Sequence, residues 1–328
     1  MAELLVRVLS PSPYVGALTT APQDTFFQHD RLLGWRGVPH AAGPFRGLDF
    51  DVTVTLDENG CRNDNPTYVE GLRNILVLGD SYGWGWGVED EDMFHREMMR
   101  MDGTLNVYNL SAPGYGTDQE YLQLRQFLEA EPGRRYAGTI LLFYQNDFED
   151  TAAALRYSYP KPMFVLDGNG ELSLENVPVP RRPPDPATAS RPIEVRTPTW
   201  LNRVHLYNLL SHAVRSGHDP GGYEQEPQEP SAEGRVSFEI TLALIDRMAQ
   251  LNESRNMFFH VVILMTHNAH RGSWQWEPFE RFLSERGIGS SLFLSRRIPN
   301  TDLWLDGHLS GRGHRMLARH ILDLPPDT

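Results

Sequence analysis

The chain has 328 residues, 40% of them hydrophobic, and a formal net charge of −13 at pH 7. This acidity argues against a nucleic-acid surface, which needs a basic stripe. The single cysteine, Cys61, excludes an internal disulfide and a cysteine-based metal site. No run of about 18 apolar residues is present, so we expect no membrane span in the chain as given. The amino terminus shows no basic stretch followed by an apolar one, so no signal peptide is predicted.

The first seventy residues predict a small appendage that contains β-structure. Residues 1–8 are expected to form a short amphipathic helix that ends before two prolines. Apolar and polar residues then alternate from 48 to 56, which is the pattern of a half-buried strand. Asn59-Gly60 follows and predicts a hairpin turn. We therefore separate residues 1–70 from a second unit over residues 71–328.

From residue 74 onward, apolar strands alternate with helices. The predicted strands cover residues 74–78, 105–110, 139–144, 257–265 and 291–294. An acidic cluster predicts a helix from Glu89 to Arg100, and a capping box at 117–120 predicts another through Leu128. Apolar spacings of three and four predict a helix over 238–251, and a last helix is expected over 312–322. This alternation predicts an α/β fold with a central parallel sheet.

Residues 155–235 interrupt the alternation with a proline-rich insertion. The segment has no long apolar run, although a helix is expected at Leu201–Val214. Two interpretations stay open: a lid that lies over one end of the sheet, and a disordered surface loop.

A serine follows the first predicted strand of the sheet. Gly79-Asp80-Ser81-Tyr82-Gly83 places Ser81 at the carboxyl end of the strand, where open α/β sheets bind their ligands. The same five residues match the G-x-S-x-G nucleophile elbow of α/β-hydrolases. That fold is disfavoured because its elbow normally follows several strands, whereas only an irregular appendage precedes Ser81.

Three later segments supply partners for a serine nucleophile. Asp306-Gly307-His308 presents an imidazole base and, two residues before it, a carboxylate that could orient the base. Gly114 follows the second strand and allows an amide N–H to point at a reacting oxygen. Asn146 ends the third strand and can donate its side-chain N–H₂. Together these segments predict a nucleophile, a base, an acid and two hydrogen-bond donors.

As a set, these segments resemble the four blocks of the SGNH (GDSL-type) hydrolase superfamily, which is named for Ser, Gly, Asn and His. The resemblance covers roughly residues 72 to 328 apart from the insertion. It implies a flavodoxin-like, three-layer α/β/α fold, with Ser81 as nucleophile and His308 as a base oriented by Asp306. It also implies an oxyanion hole from the backbone N–H groups of Ser81 and Gly114 and the side chain of Asn146.

Three positions depart from the pattern of the family. Many members carry the acid three residues before the histidine, where this chain has Leu305. Asp306 is kept as the acid, and Asp302 is held in reserve. Gln145 stands where glycine is frequent, and Tyr82 stands where leucine is frequent. None of these departures removes a catalytic group.

The implied reaction is hydrolysis of a carboxylic ester, acetyl or short acyl, through an acyl-enzyme. The expected partner is a small-molecule or glycan ester, and neither a metal nor an organic cofactor is required. His267 and His270 are interpreted as loop residues because no third ligand lies nearby in the sequence. Four aromatic residues near the predicted site either line a substrate cleft or pack in the core, namely Tyr82, Trp84, Trp86 and Tyr115.

Two other functions stay open at this point. An O-acyltransferase would use the same triad with a sugar hydroxyl in place of water, and an inactive relative would only bind. The chain as given is expected to be cytoplasmic. The alternative is a membrane-anchored, extracytoplasmic protein, since residues 2–7 resemble the stretch that follows an anchor in some bacterial relatives. The oligomeric state is left open.

Overall fold

The computed structural model describes residues 26–47, 50–156, 159–167, 169–181, 231–266, 273–295, 301–303 and 307–324. Its first elements are two antiparallel strand pairs. Strand β1 (Phe27–Asp30) pairs with β2 (Gly34–Gly37), and β3 (Ala42–Arg46) pairs with β4 (Asp51–Thr55). Along β4, Val52 and Val54 are buried and the residues between them are exposed, which confirms the predicted half-buried strand.

The turn predicted at Asn59-Gly60 forms, with the Gly60 N–H donating to Asp57 O (3.1 Å), but the predicted hairpin is wrong. Strand β4 pairs with β3, which precedes it, and no strand follows between residues 61 and 72. The Oδ1 atom of Asp57 accepts hydrogen bonds from the backbone N–H groups of Asn59 (2.8 Å) and Cys61 (2.9 Å). These bonds add to the backbone bond from the Asp57 N–H to Cys61 O (2.8 Å) and hold the turn, although no second strand follows it.

The strands that follow along the chain include those of the central sheet and two short pairs. The whole set is β5 (Arg73–Gly79), β6 (Leu105–Asn109), β7 (Gly138–Phe143), β8 (Leu155–Arg156), β9 (Tyr159–Pro160), β10 (Met163–Leu166), β11 (Leu172–Glu175), β12 (Phe258–Met265) and β13 (Gly289–Leu294). The sheet has the order β6-β5-β7-β12-β13, and every neighbouring pair is parallel. Numbered along the chain, this is 2-1-3-4-5, the order of flavodoxin-like folds. The five predicted strands and the parallel α/β fold are thereby confirmed.

Helices cover both faces of this sheet. They are α1 (Ser81–Trp84), α2 (Phe94–Met101), α3 (Thr117–Ala130), α4 (Asp147–Asp150), α5 (Ala232–Glu253), α6 (Trp276–Glu285) and α7 (Gly311–Leu322). Leu76 and Leu78 of β5 pack with α3, α5 and α6 on one face, and Ile75 and Val77 pack with α2 and α7 on the other. The alternation along β5 therefore builds three layers, as predicted.

One helix start and one helix cap differ from the sequence-based prediction. Residues 90–92 form a 3₁₀ turn, and α2 begins only at Phe94. The capping box at 117–120 is wrong, because Gly116 is the residue that precedes the first turn of α3. The Asp118 carboxylate accepts the N–H of Gln119 (2.8 Å). The Glu120 carboxylate has no hydrogen-bond partner among the described residues.

The insertion is described up to residue 181 and again from residue 231. Its first part contains two short antiparallel pairs, β8 with β9 and β10 with β11. Val179 joins this part to the β1–β2 hairpin, since its N–H donates to Arg31 O (2.7 Å) and its carbonyl contacts His29 Nε2 (3.0 Å). The helices predicted at 1–8 and 201–214 lie outside the described residues, and the lid stays a prediction. None of the described helices combines the length and apolar character needed to cross a bilayer.

Candidate active site

Ser81 stands at the carboxyl end of β5, as the first residue of the short helix α1. The Asp80 side chain caps this helix by accepting the N–H of Tyr82 (2.9 Å). Gly83 lies so close to the loop after β6 that a Cβ atom there would overlap Ser111 Oγ. Strand β5 lies between β6 and β7. Ser81 is therefore placed at the switch point of the strand order, where open α/β sheets bind ligands.

The structure brings Ser81 and His308 into direct contact. The distance between Ser81 Oγ and His308 Nε2 is 2.7 Å, and both residues are half-buried. Two backbone hydrogen bonds hold the chain beside the imidazole: the Leu303 N–H donates to His308 O (2.6 Å), and the Gly307 N–H donates to Leu303 O (3.0 Å). An imidazole that accepts the serine proton at Nε2 must carry its own proton at Nδ1.

The two candidate acids differ in what the structure shows of them. Asp306 lies outside the described residues, so its role as the orienting acid stays a prediction. Asp302, the reserve candidate, forms an isolated antiparallel bridge with Leu309. Its Oδ2 accepts a hydrogen bond from Ser295 Oγ at 3.1 Å, which directs that oxygen toward the end of β13.

Aromatic rings surround the imidazole of His308. The Tyr82 ring lies 4.6 Å away at an interplanar angle of 35°, and the Trp86 ring lies 5.7 Å away at 29°. Trp86 in turn meets Phe45 edge to face at 4.7 Å and Phe50 at 6.3 Å. Of the four aromatic residues singled out in the sequence, Trp86 is half-buried beside the site, whereas Tyr82, Trp84 and Tyr115 are at most 5% exposed.

Gly114 lies at the third position of a β-turn after β6. The Tyr115 N–H donates to Ala112 O (3.3 Å), Pro113 is the second residue, and Gly114 has φ +74°. Proline followed by a residue with positive φ defines a type II turn, in which glycine is the favoured third residue. The indole Nε1 of Trp35 donates to Pro113 O at 3.1 Å.

Asn146 lies three residues after the end of β7 and directly before α4, and its amide faces two carboxylates. Nδ2 lies 3.2 Å from Asp80 Oδ2 and 2.9 Å from Asp150 Oδ2. Arg156 holds the other oxygen of Asp150 at 2.8 Å. Sequence analysis missed Asp150, although its spacing of four residues after Asn146 at a helix start is the signal that could have shown the contact.

Buried carboxyl groups cluster around this amide. Burial raises the pKa of Asp150 to about 6, against the opposing effects of Arg156 and Asn146. Burial also raises the pKa of Asp80, although the Tyr82 N–H and His308 act in the opposite direction. For Glu120 and Asp147, burial and then neighbouring carboxylates raise the pKa well above its usual range. The half-buried Asn146 amide thus lies beside a cluster of buried carboxyl groups.

The described residues contain no metal-site arrangement of three or more His, Cys or carboxylate side chains. His267 and His270 lie outside the described part of the chain, so their interpretation as loop residues stays a prediction. Within the described part, the contacts beside the elbow are those of the Ser81 hydroxyl with the His308 imidazole and of the Asn146 amide with Asp80.

No protein-family model matches the chain, and no curated protein matches it. Solved structures of several hydrolases are similar to it. A GDSL-like lipase from Bacteroides thetaiotaomicron has 11% identity and a TM-score of 0.39, over 79% of this chain and 90% of the lipase. A lipolytic G-D-S-L family protein from Veillonella parvula has 10% identity and a TM-score of 0.40, over 76% and 97%. The acetyl xylan esterase Est2A from Butyrivibrio proteoclasticus has 11% identity and a TM-score of 0.37, over 80% of this chain and 64% of the esterase. Similarity at this level does not carry a function from one protein to another.

Proposed function

We propose that this protein is a serine esterase of the SGNH (GDSL) type that hydrolyses a carboxylic ester. The observation that carries the proposal is the 2.7 Å contact between Ser81 Oγ and His308 Nε2 at the switch point of a flavodoxin-like sheet. A nucleophile and a base within hydrogen-bond reach are the geometric requirement for acyl transfer to serine.

In the proposed reaction, His308 takes the Ser81 proton while Oγ attacks the ester carbonyl. The resulting imidazolium then protonates the leaving alkoxide, and water, activated by the same imidazole, releases the acid. Asp306 is proposed to hold the Nδ1 proton and so to fix the tautomer. A serine and an imidazole are sufficient for this sequence of proton transfers.

The oxyanion is proposed to bind to N–H groups of Ser81, Gly114 and Asn146. Ser81 begins α1, so its N–H is one of the first four amides that have no partner within a helix. Both described hydrogen bonds of the Asn146 amide go to carboxylates, and an N–H₂ group has two hydrogens. Asn146 therefore exchanges the longer bond, to Asp80, for the bond to the substrate oxygen.

We propose an acetyl or short acyl ester, carried on a carbohydrate or a related small alcohol, as the substrate class. The half-buried indole of Trp86 beside His308 supports this class, since an aromatic face offers an apolar platform with a polar edge to a sugar ring. The acyl group of the same acyl-enzyme could pass either to water, which gives hydrolysis, or to a sugar hydroxyl, which gives transfer.

The test compares turnover of p-nitrophenyl acetate by the wild type and by Ser81→Ala. The variant should fold with an unchanged circular dichroism spectrum and lose essentially all turnover, because alanine has no hydroxyl to attack the ester carbonyl. Equal turnover by the two proteins would refute the esterase. Acetate released from acetylated glycans, measured against acetyl transfer to an added glycan, separates hydrolysis from transfer.

A further inference from the structure

The β1–β2 hairpin lies against the turn that carries Gly114. Trp35 of β2 is half-buried, and its ring packs on the Tyr115 ring at 5.7 Å and 63°. The Tyr115 hydroxyl donates to Trp35 O at 2.6 Å. At the start of α3, the Gln119 side-chain amide donates to Leu33 O at 2.7 Å. The hairpin is thus bound to this turn and to the helix that follows it through both backbone and side chains.

One of these bonds acts on the peptide group of the proposed oxyanion hole. The Trp35 indole N–H donates to Pro113 O at 3.1 Å. Pro113 O and the Gly114 N–H belong to the same planar trans peptide, so they point in opposite directions. A donor that holds the oxygen on one side therefore directs the N–H to the other side.

This direction is not determined by the turn alone. Types I and II differ chiefly in the orientation of the middle peptide, and glycine at the third position accepts either one. In the alternative orientation, Pro113 O would take the place of the N–H and present a carbonyl oxygen to a developing oxyanion. An acceptor there would repel the charge that the N–H is proposed to stabilise.

We infer that Trp35 is a positioning residue of the oxyanion hole, which keeps the Pro113–Gly114 peptide in the orientation that offers the Gly114 N–H to substrate. This inference rests on the proposed function. It also gives the β1–β2 hairpin a role in the chemistry, although the hairpin contributes no group that touches the reacting atoms.

The test uses Trp35→Phe, which keeps an aromatic ring against Tyr115 and removes the N–H donor. Tyr115→Phe is the matched control, because it removes a hydrogen bond between the same hairpin and the same turn without touching Pro113 O. Where Trp35→Phe fails to fold, a benzothienyl-alanine at position 35 keeps the size and shape of indole and replaces the N–H with sulfur. For each protein, kcat and KM are measured with p-nitrophenyl acetate. The inhibition constant is also measured for a boronic acid, which forms a tetrahedral adduct on the serine.

Trp35→Phe should lower kcat by about 10- to 100-fold with little change in KM, since removal of an oxyanion donor itself typically costs about 10²- to 10³-fold. The boronic acid should bind more weakly by the factor lost in kcat/KM, and Tyr115→Phe should stay close to the wild type. A pure KM effect, or equal losses in Trp35→Phe and Tyr115→Phe, would overturn the positioning role and leave the esterase intact. Wild-type turnover no greater than that of Ser81→Ala would overturn the esterase, and the inference with it.

Discussion

His308 and Asn146 flank the Ser81 elbow in surroundings of opposite kinds. The imidazole lies among aromatic rings, with Tyr82 at 4.6 Å and Trp86 at 5.7 Å. The amide lies among carboxyl groups, with Asp150 Oδ2 at 2.9 Å and Asp80 Oδ2 at 3.2 Å. Aromatic faces stabilise a cation that appears during the reaction, whereas charged acceptors hold a neutral amide in place before it. The aromatic side therefore suits His308, whose charge changes during the reaction, and the carboxyl side suits Asn146, which only donates hydrogen bonds.

The largest expected effect is on the carboxylate side, at Asn146. Asn146→Ala should lower kcat by about 10²- to 10³-fold and leave KM nearly unchanged, because the amide bonds to the substrate oxygen only in the transition state. Steady-state kinetics with p-nitrophenyl acetate measures both constants. Asn169→Ala, at an exposed loop position, should behave as the wild type. A change confined to KM would remove Asn146 from the oxyanion hole.

A second prediction concerns how ionisation of Asp150, which accepts a bond from that amide, changes the free energy of unfolding. The pKa of Asp150 is raised from 3.8 to about 6 in the folded protein. The folded state therefore binds this proton more tightly than the unfolded chain, and the free energy of unfolding falls as pH rises from about 4 to about 6. Asp150→Asn removes the titrating group, so the wild type should lose about 2 kcal/mol relative to the variant across this range.

Urea unfolding of both proteins at pH values from 4 to 7 measures this difference. Asp246→Asn is a suitable control, because Asp246 forms its ion pair with Arg286, whose side chain is 54% exposed. Because Asp246→Asn keeps Asp150, its free energy of unfolding should fall with rising pH as that of the wild type does. A wild type that gains stability over Asp150→Asn with rising pH would show that the carboxylate is stabilised, not penalised, in its buried position.

The smallest effect is expected on the aromatic side. Trp86→Leu should lower kcat by about 3- to 10-fold, because the indole face no longer attracts the imidazolium that forms as His308 takes the serine proton. Trp86→Phe keeps an aromatic face and should recover much of the loss. Trp274→Leu makes the same change at a tryptophan that packs on Phe238. Equal losses in the two leucine variants would reduce the role of Trp86 to packing.

The sheet could be predicted from the sequence because each of its strands is a local signal. Buried parallel strands are continuous apolar runs, and the five runs from 74–78 to 291–294 correspond to β5, β6, β7, β12 and β13. Local signals failed where they had to predict strand pairing. The Asn59-Gly60 turn is held by backbone and side-chain bonds of Asp57, but no strand follows it, so the expected hairpin does not form.

The site could be predicted as a set of residue types, but not as a set of contacts. Serine, glycine, asparagine and histidine at strand ends are visible in the sequence, whereas the partners that direct them are not. Trp35 and Pro113 are 78 residues apart, and no periodicity links them. Asp150 is near Asn146 in the chain, yet its role depends on Asp80 from another strand and on the burial of both carboxyls. Tertiary packing, not local pattern, decides such contacts.

The most direct test of the central claim is covalent labelling of the serine with a fluorophosphonate, followed by the mass of the intact protein. The wild type should gain one adduct, located on Ser81 by peptide mapping. Ser81→Ala should gain none, and His308→Gln should react far more slowly, because no base removes the serine proton. A wild type that stays unlabelled, or a label that persists in Ser81→Ala, would contradict the assignment of Ser81 as an activated nucleophile.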